Sequence, residues 1–194
     1  MPSAGVIDMD HETELLVRAR GGDHGAFAAL VQGERPRLHR LLYRITRDRE
    51  AAEDALQEAL TSAWLNLASF EGRARFSTWL TRIAINEAYS RIRRAQPETI
   101  ELDDRVGERV PGWGDQPDAV FETREFLAAV ERALVDLPPY YRSAVILRDV
   151  EGLSTSQAAE ILGIGERALK SRVHRGRLAL RAKLDGHFDP GAVS

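Results

Sequence analysis

The sequence predicts an all-α protein of two small helical domains joined by an acidic flexible linker, and three observations carry the prediction. Apolar residues recur at spacings of three and four through both halves of the chain, and no alternating run of comparable strength argues for strands. The excess of acid over base is concentrated in one middle segment that is also rich in proline and glycine. Residues 153–184, LSTSQAAEILGIGERALKSRVHRGRLALRAKL, read as two helices about a glycine-flanked turn, the second of them strongly basic.

The first domain is expected over 12–95. Leu15, Leu16 and Ala19 open a helical pattern that Gly21-Gly22 interrupts, and Phe27, Leu30 and Val31 resume it. Asp23, just ahead of that second segment, is placed to cap it. A third helix is expected over about Leu38 to Thr46 and a fourth over about Ala51 to Ala68. In the fourth, Ala52, Leu56, Leu60, Ala63 and Leu67 mark a buried stripe, while Glu53, Asp54, Gln57 and Glu58 gather on the exposed face. The loop Glu71 to Arg75 leads into a fifth helix, Phe76 to Arg94.

That fifth helix, FSTWLTRIAINEAYSRIRR, interleaves aromatics and amides with arginine. Phe76, Trp79, Leu80, Ile83 and Ala84 can pack inward, and Arg82, Asn86, Ser90, Arg93 and Arg94 follow a largely different face. Aromatic faces stack unpaired bases and arginine neutralises phosphate, so the combination suits single-stranded or partly melted DNA. Trp79 taken alone fits a core position better than a stacking one. Asn86 has below-average propensity inside a helix, which points instead to a hydrogen-bonding task.

The net charge of −3 is a poor guide to binding until it is divided along the chain. Residues 1–95 carry 14 basic and 13 acidic side chains, residues 96–122 carry 2 and 8, and residues 123–194 carry 11 and 9. The acid therefore lies in the expected linker, 96–122, between two mildly basic domains. About 25 extended residues can separate two domains by several nanometres.

In the second domain, 123–186, Ser154 and Gln157 form a capping-box pattern ahead of Ala158, Ala159, Ile161 and Leu162. The helix stops at Gly163-Ile164-Gly165, and the next one strings Leu169, Val173, Leu180 and Leu184 along one stripe. Between Arg167 and Lys183 stand seven Lys or Arg and no acid. A solvated helical face would ordinarily mix both signs, whereas a short helix, a tight turn and a basic second helix suit a helix-turn-helix lying in the DNA major groove.

Other classes are excluded by composition. The 43% hydrophobic content supports packed cores rather than wholesale disorder. With no cysteine there can be no disulfide, thiolate metal site or Cys nucleophile. The longest uncharged run, Ala59 to Phe70, has 12 residues, short of the roughly 20 a membrane span needs, so no membrane insertion is expected. The opening MPSAGVIDMDHETE lacks the basic and apolar regions of a secretory signal, and a cytoplasmic protein is expected. His11, His24, His39 and the acids form no spaced catalytic set, and there is neither a glycine-rich phosphate loop nor an HExxH motif. No enzyme, cofactor or metal is expected. A dimeric helix-turn-helix regulator would account for residues 137–184 but leave the Trp-Asn-Arg helix unexplained.

Across about Glu14 to Leu184 the chain resembles the extracytoplasmic-function group of bacterial RNA polymerase sigma factors. Four blocks carry the resemblance, in order: GGDHGAFAALV, RDREAAEDALQEAL, FSTWLTRIAINEAYSRIRR and LPPYYRSAVILRDVEGLSTSQAAEILGIGERALKSRVHRGR. The resemblance implies a first domain that binds core RNA polymerase and reads the −10 element, and a second that reads the −35 element. It implies that Asp48, Glu53, Asp54, Gln57 and Glu58 dock on the polymerase. Arg73, Arg75, Trp79, Arg82, Asn86, Ser90 and Arg93 are implied at the melted −10 DNA, with the loop Glu71 to Arg75 capturing a flipped base. Arg167, Lys170, Ser171, Arg172, His174, Arg175 and Arg177 are implied at the −35 duplex. Lys170 and Arg175 suit guanine O6 and N7 there, while Arg167, Arg172 and Arg177 suit phosphates. Core RNA polymerase, promoter DNA and an anti-sigma factor are the implied partners. The chain departs from the family at the turn, where Gly165 and Ala168 replace the usual Ser and Thr and Leu169 stands where Val is common. Gly176 stands where Ala is frequent, and on propensity alone it weakens the helix by about 1 kcal/mol.

Overall fold

The structure, a computed structural model, describes residues 9–95 and 124–185. The acidic segment expected as a linker, 96–122, lies outside them. The chain divides into two compact units, and every described element is helical.

The first unit holds α1 (Met9–Arg20), α2 (His24–Gln32), α3 (Arg35–Thr46), α4 (Arg49–Leu65), a 3₁₀ turn (Leu67–Ser69) and α5 (Phe76–Ala95). Local chemistry sets the ends of α1 and α3 and the starts of α2, α3 and α4. At the end of α1 the N–H of Gly22 bonds to Ala19 O and that of Asp23 to Arg18 O, at 3.0 and 3.1 Å. This is a Schellman closure, and Gly22 supplies its φ of 92°. Asp23 then caps α2 by accepting from the Ala26 N–H, as expected. Pro36 enters α3 within its first two positions, where a missing N–H is harmless, so α3 begins earlier than its apolar spacing indicates. Arg47 ends α3 in the left-handed region at φ 62°, and Asp48 caps α4 through the Ala51 N–H at 2.8 Å.

The core of this unit is built from Leu38, Leu41, Leu42 and Ile45 of α3 and from Leu80, Ala84, Ile85 and Ala88 of α5. Both pack on α4, whose buried face is mostly small: Ala52, Ala55, Leu56, Ala59 and Ala63. Alanine lets α3 and α5 approach closely while keeping the helix propensity of a long central element. Leu60 of the expected stripe is only half-buried. Between α3 and α5, Arg37 donates to Thr81 Oγ1 at 2.7 Å while also pairing with Glu34, and Thr81 is itself buried.

Residues 124–185 form α6 (Arg124–Val135), α7 (Pro139–Val145), a π-helical turn (Ile146–Val150), α8 (Thr155–Leu162) and α9 (Glu166–Asp185). Ala133, Leu134, Leu137, Val145 and Leu180 form an apolar cluster joining α6, α7 and α9. Arg142 is buried beneath it and donates to the carbonyls of Val135 and Leu137, at 2.6 and 2.8 Å. A cation at a helix C-terminus satisfies carbonyls that have no partner within the helix, so Arg142 fixes the corner after α6. The π turn, not expected from periodicity, is closed by Glu151 N–H on Ile146 O and braced by the Arg148 guanidinium on the Leu153 carbonyl.

Candidate nucleic-acid interface

The α8–α9 pair is framed by its own residues. The Ser154 N–H donates to Gln157 Oε1 at 2.9 Å and the Gln157 N–H to Ser154 Oγ at 3.2 Å, the reciprocal capping box the spacing predicts. At the other end of α8, Gly163 (φ 64°) and Ile164 close onto Glu160 O and Ala159 O. Leu169 and Val173 are buried along α9, and Leu184 is half-buried.

Gly176 has a role that propensity does not show. A Cβ built there would lie 2.6 Å from Val145 Cγ2 and 3.4 Å from the Tyr141 carbonyl oxygen. The absent methyl is what lets α9 lie directly on α7.

The seven sequence-predicted residues of α9 divide into two groups. Arg167 and Lys170 are exposed near its N-terminus, with Ser171 half-buried behind them. In a helix-turn-helix the N-terminal residues of the second helix are those that meet base edges. Further along, the cations have partners on α7 or the π turn. Arg172 stacks 5.9 Å over the Tyr140 ring, Arg175 donates to the Tyr141 hydroxyl at 3.3 Å, and Arg177 forks onto Asp149 at 2.6 and 3.0 Å. The Nε2 atom of His174 is buried without a hydrogen-bond partner, so that edge of the ring is not offered to a groove.

In the first unit, Arg82, Asn86 and Arg93 are exposed and lie within about 40° of one another around α5. Ser90 is half-buried at the margin of that face. Trp79 is half-buried too, its ring centroid 5.2 Å from Phe70 and 5.8 Å from Phe76, so it belongs to an aromatic cluster and still presents surface. Arg20 reinforces the cluster by donating to the Phe70 carbonyl and stacking on its ring. Arg73 and Arg75 are exposed in the loop between Phe70 and Phe76, and Arg73 pairs with Glu71 at 2.6 Å.

On α4 the acidic face is half-exposed and largely partnered. Arg91, on α5, places Nη1 2.9 Å from Asp54 and Nη2 2.7 Å from Glu58. Glu53 takes a 3.3 Å hydrogen bond from Gln57 and lies 3.5 Å from His39 Nε2. Asp48 is the α4 cap. Sequence reading placed these acids together but missed Arg91, whose partners are 33 and 37 residues away, and missed the cap, although an Asp directly before a helix is its usual signal.

Among the described residues, the Asp23 and Asp136 carboxyl groups are held below their ordinary range. Asp23 is held down by the Ala26 N–H and then by Arg18, and Asp136 by hydrogen bonding and charge from Lys183. Both act on the frame rather than on the α5 or α9 faces. Among the described residues no helix is long and apolar enough to cross a membrane.

Comparison with known proteins adds to this geometry. Residues 30–98 match the family described as Sigma-70 region 2, and residues 127–180 match Sigma-70, region 4. The chain is 34% identical over 177 residues to the ECF RNA polymerase sigma factor SigW of Bacillus subtilis, a match covering 87% of this chain and 94% of that one. It is 38% identical over 181 residues to SigM of Mycobacterium tuberculosis, covering 93% and 87%. Among solved structures it is similar to the sigma factor RpoE of Bartonella quintana, solved in complex with the anti-sigma factor NepR. That likeness has a TM-score of 0.58 at 29% identity and covers 92% of this chain and 98% of the other.

Proposed function

This chain belongs to the extracytoplasmic-function group of sigma-70 RNA polymerase sigma factors, and from that premise we propose which of its surfaces does what. It joins core RNA polymerase and directs initiation to promoters. Residues 12–95 are assigned to polymerase docking and the −10 element, and residues 123–186 to the −35 element. The observation that carries the first assignment is the outward face of α5: Arg82, Asn86 and Arg93 stand exposed along one side of a helix that starts at an aromatic-walled loop.

In this reading the −10 DNA is held unpaired. Taking a base out of the stack costs a few kcal/mol, which ring surface and edge hydrogen bonds must return. The loop Glu71 to Arg75 and Trp79 offer the cavity wall, Asn86 and Ser90 the hydrogen-bonding edges, and Arg73, Arg75, Arg82 and Arg93 the phosphate contacts. At the −35 duplex, Lys170 reads guanine with Arg167 and Ser171 beside it. Arg172, His174, Arg175 and Arg177 serve position more than sequence, since exposed pairs such as Arg177–Asp149 are worth only about 0–1 kcal/mol and exchange readily with phosphate. Asp48, Glu53, Asp54, Gln57 and Glu58 meet a basic surface of the polymerase.

The chain acts as an initiation factor rather than a catalyst, in the cytoplasm where its polymerase is. Its likeness to a sigma factor bound by an anti-sigma factor supports regulation by a partner of that kind.

Run-off transcription with core polymerase tests the reading. Protein-dependent transcripts should share −35 and −10 elements, and Asn86→Ala should lower yield from them and relax the −10 preference. A protein that gives no transcript and no core binding, yet shifts a palindromic duplex alone, would instead be a conventional regulator.

A further inference from the structure

The stretch Arg35 to Arg47 contains five arginines and no acid. The fold engages two of its basic residues internally: Arg37 sits between Glu34 and Thr81, and His39 lies beside Glu53. Arg40, Arg44 and Arg47 differ. Among the described residues none of the three has an acidic partner, in a chain whose net charge is −3.

Their placement is orderly. Arg40, Tyr43 and Arg47 fall within about 60° around α3, on the side opposite Leu38, Leu41, Leu42 and Ile45, with Arg44 on the shoulder. Tyr43 is 43% exposed, and the Arg47 guanidinium lies 5.8 Å from its ring centroid. Arg47 holds that position by closing α3 at φ 62°, with its N–H on the Tyr43 carbonyl at 2.8 Å. Glycine is the residue such a closure favours, so an arginine there keeps a cation beside Tyr43 against backbone preference. None of these residues belongs to α5, its loop, α9 or the acidic face of α4.

We infer that the ridge Arg40–Tyr43–Arg44–Arg47 is a further DNA contact that grips the sugar–phosphate backbone of promoter DNA without regard to sequence. The inference rests on the sigma-factor reading and adds a surface to it. Arg40 and Arg47 are about 10 Å apart along the axis of α3 and its cap, comparable to three phosphate spacings along one strand. Tyr43 between them presents a ring to sugar or to an unpaired base. An acidic protein is the poorer fit, because protein interfaces centre on apolar anchors and this ridge is cationic along its length.

The test is the salt dependence of promoter binding by holoenzyme assembled from the full chain and core polymerase. Each phosphate contact contributes about 0.7–0.9 to the slope of log K against log salt, so R40A/R44A/R47A should reduce that slope by about 2 to 3. Wild-type and variant affinities should converge as salt rises, with core affinity in the absence of DNA and base preference at −10 both unchanged. R40K/R44K/R47K, which restores charge, should recover most of the slope, and circular dichroism should report an intact fold for both variants. An unchanged slope overturns the inference. So does a loss confined to core binding without DNA, which would make the ridge a polymerase surface. Asn86→Ala run in parallel separates the two readings: its effect is on base preference and not on slope, so a failure there falls on the −10 assignment alone.

Discussion

Replacing Gly176 with alanine should destabilise the second unit, the opposite of what helix propensity predicts. In an open helix interior the change would stabilise by about 1 kcal/mol. Here the new Cβ would sit 2.6 Å from Val145 Cγ2, about 1 Å inside the distance at which two carbons attract. Val145 is 4% exposed and β-branched, so it has no easy rotamer to escape into, and the second neighbour is the Tyr141 backbone, which is stiffer still. Overpacking of this kind costs about 1–3 kcal/mol. Set against the propensity gain of about 1 kcal/mol, the net loss is about 0–2 kcal/mol, equivalent to a fall of up to roughly 15 °C in the melting temperature of a unit this small. Differential scanning calorimetry of the full chain reads it as a downward shift of one transition. In a Val145→Ala background the clash is gone, and Gly176→Ala should then stabilise. A stability increase near 1 kcal/mol in the wild-type background would refute the close-approach reasoning.

Two further outcomes follow from the contacts described. Arg91→Ala should lower the stability of the first unit by about 1 kcal/mol. A double-mutant cycle in urea with Asp54→Ala or Glu58→Ala should show coupling of at least 0.5 kcal/mol, and additive losses would mean the fork carries no energy. For Asp23, whose carboxyl is depressed in the fold, stability is fully present above the ordinary carboxylate range and is lost as pH falls through the lower folded value. Asp23→Asn keeps a capping side chain but removes the titration, so its unfolding midpoint should change less between about pH 4 and pH 2 than that of the wild type. Parallel acid titrations of the two would contradict this.

Local chemistry was legible in the sequence, and distant chemistry was not. Asp23, the Ser154–Gln157 box and the stop at Gly163 are signals written within four or five residues, and all three are built as their spacing indicates. The apolar stripes placed α4, α5 and α9 to within a few residues for the same reason. The period alone missed Thr81, Ile85 and Ala88 as core, because a helix packed on two neighbours buries a wider arc than one stripe. It also could not show that Arg142 turns inward to hold carbonyls of the preceding corner, or that Arg91 reaches from α5 to the acids of α4. Those depend on which helices become neighbours. Gly176 is the plainest case: in sequence it is a weak helix residue, and only the position of Val145 shows why it is needed.

The self-closed ends of α8 carry a consequence for engineering. The Ser154–Gln157 box closes the start of α8, and the bonds of Gly163 and Ile164 onto Glu160 and Ala159 close its end at the turn toward α9, while Arg167 and Lys170 take part in neither. Frame and reading surface are thus written in separate alphabets. If the start of α9 reads the −35 element as proposed, a combinatorial library over its outward positions would search for new promoter sequences without re-solving the fold for each member. The same separation means that substitutions at those outward positions should cost the fold little, because none of the bonds closing α8 passes through them.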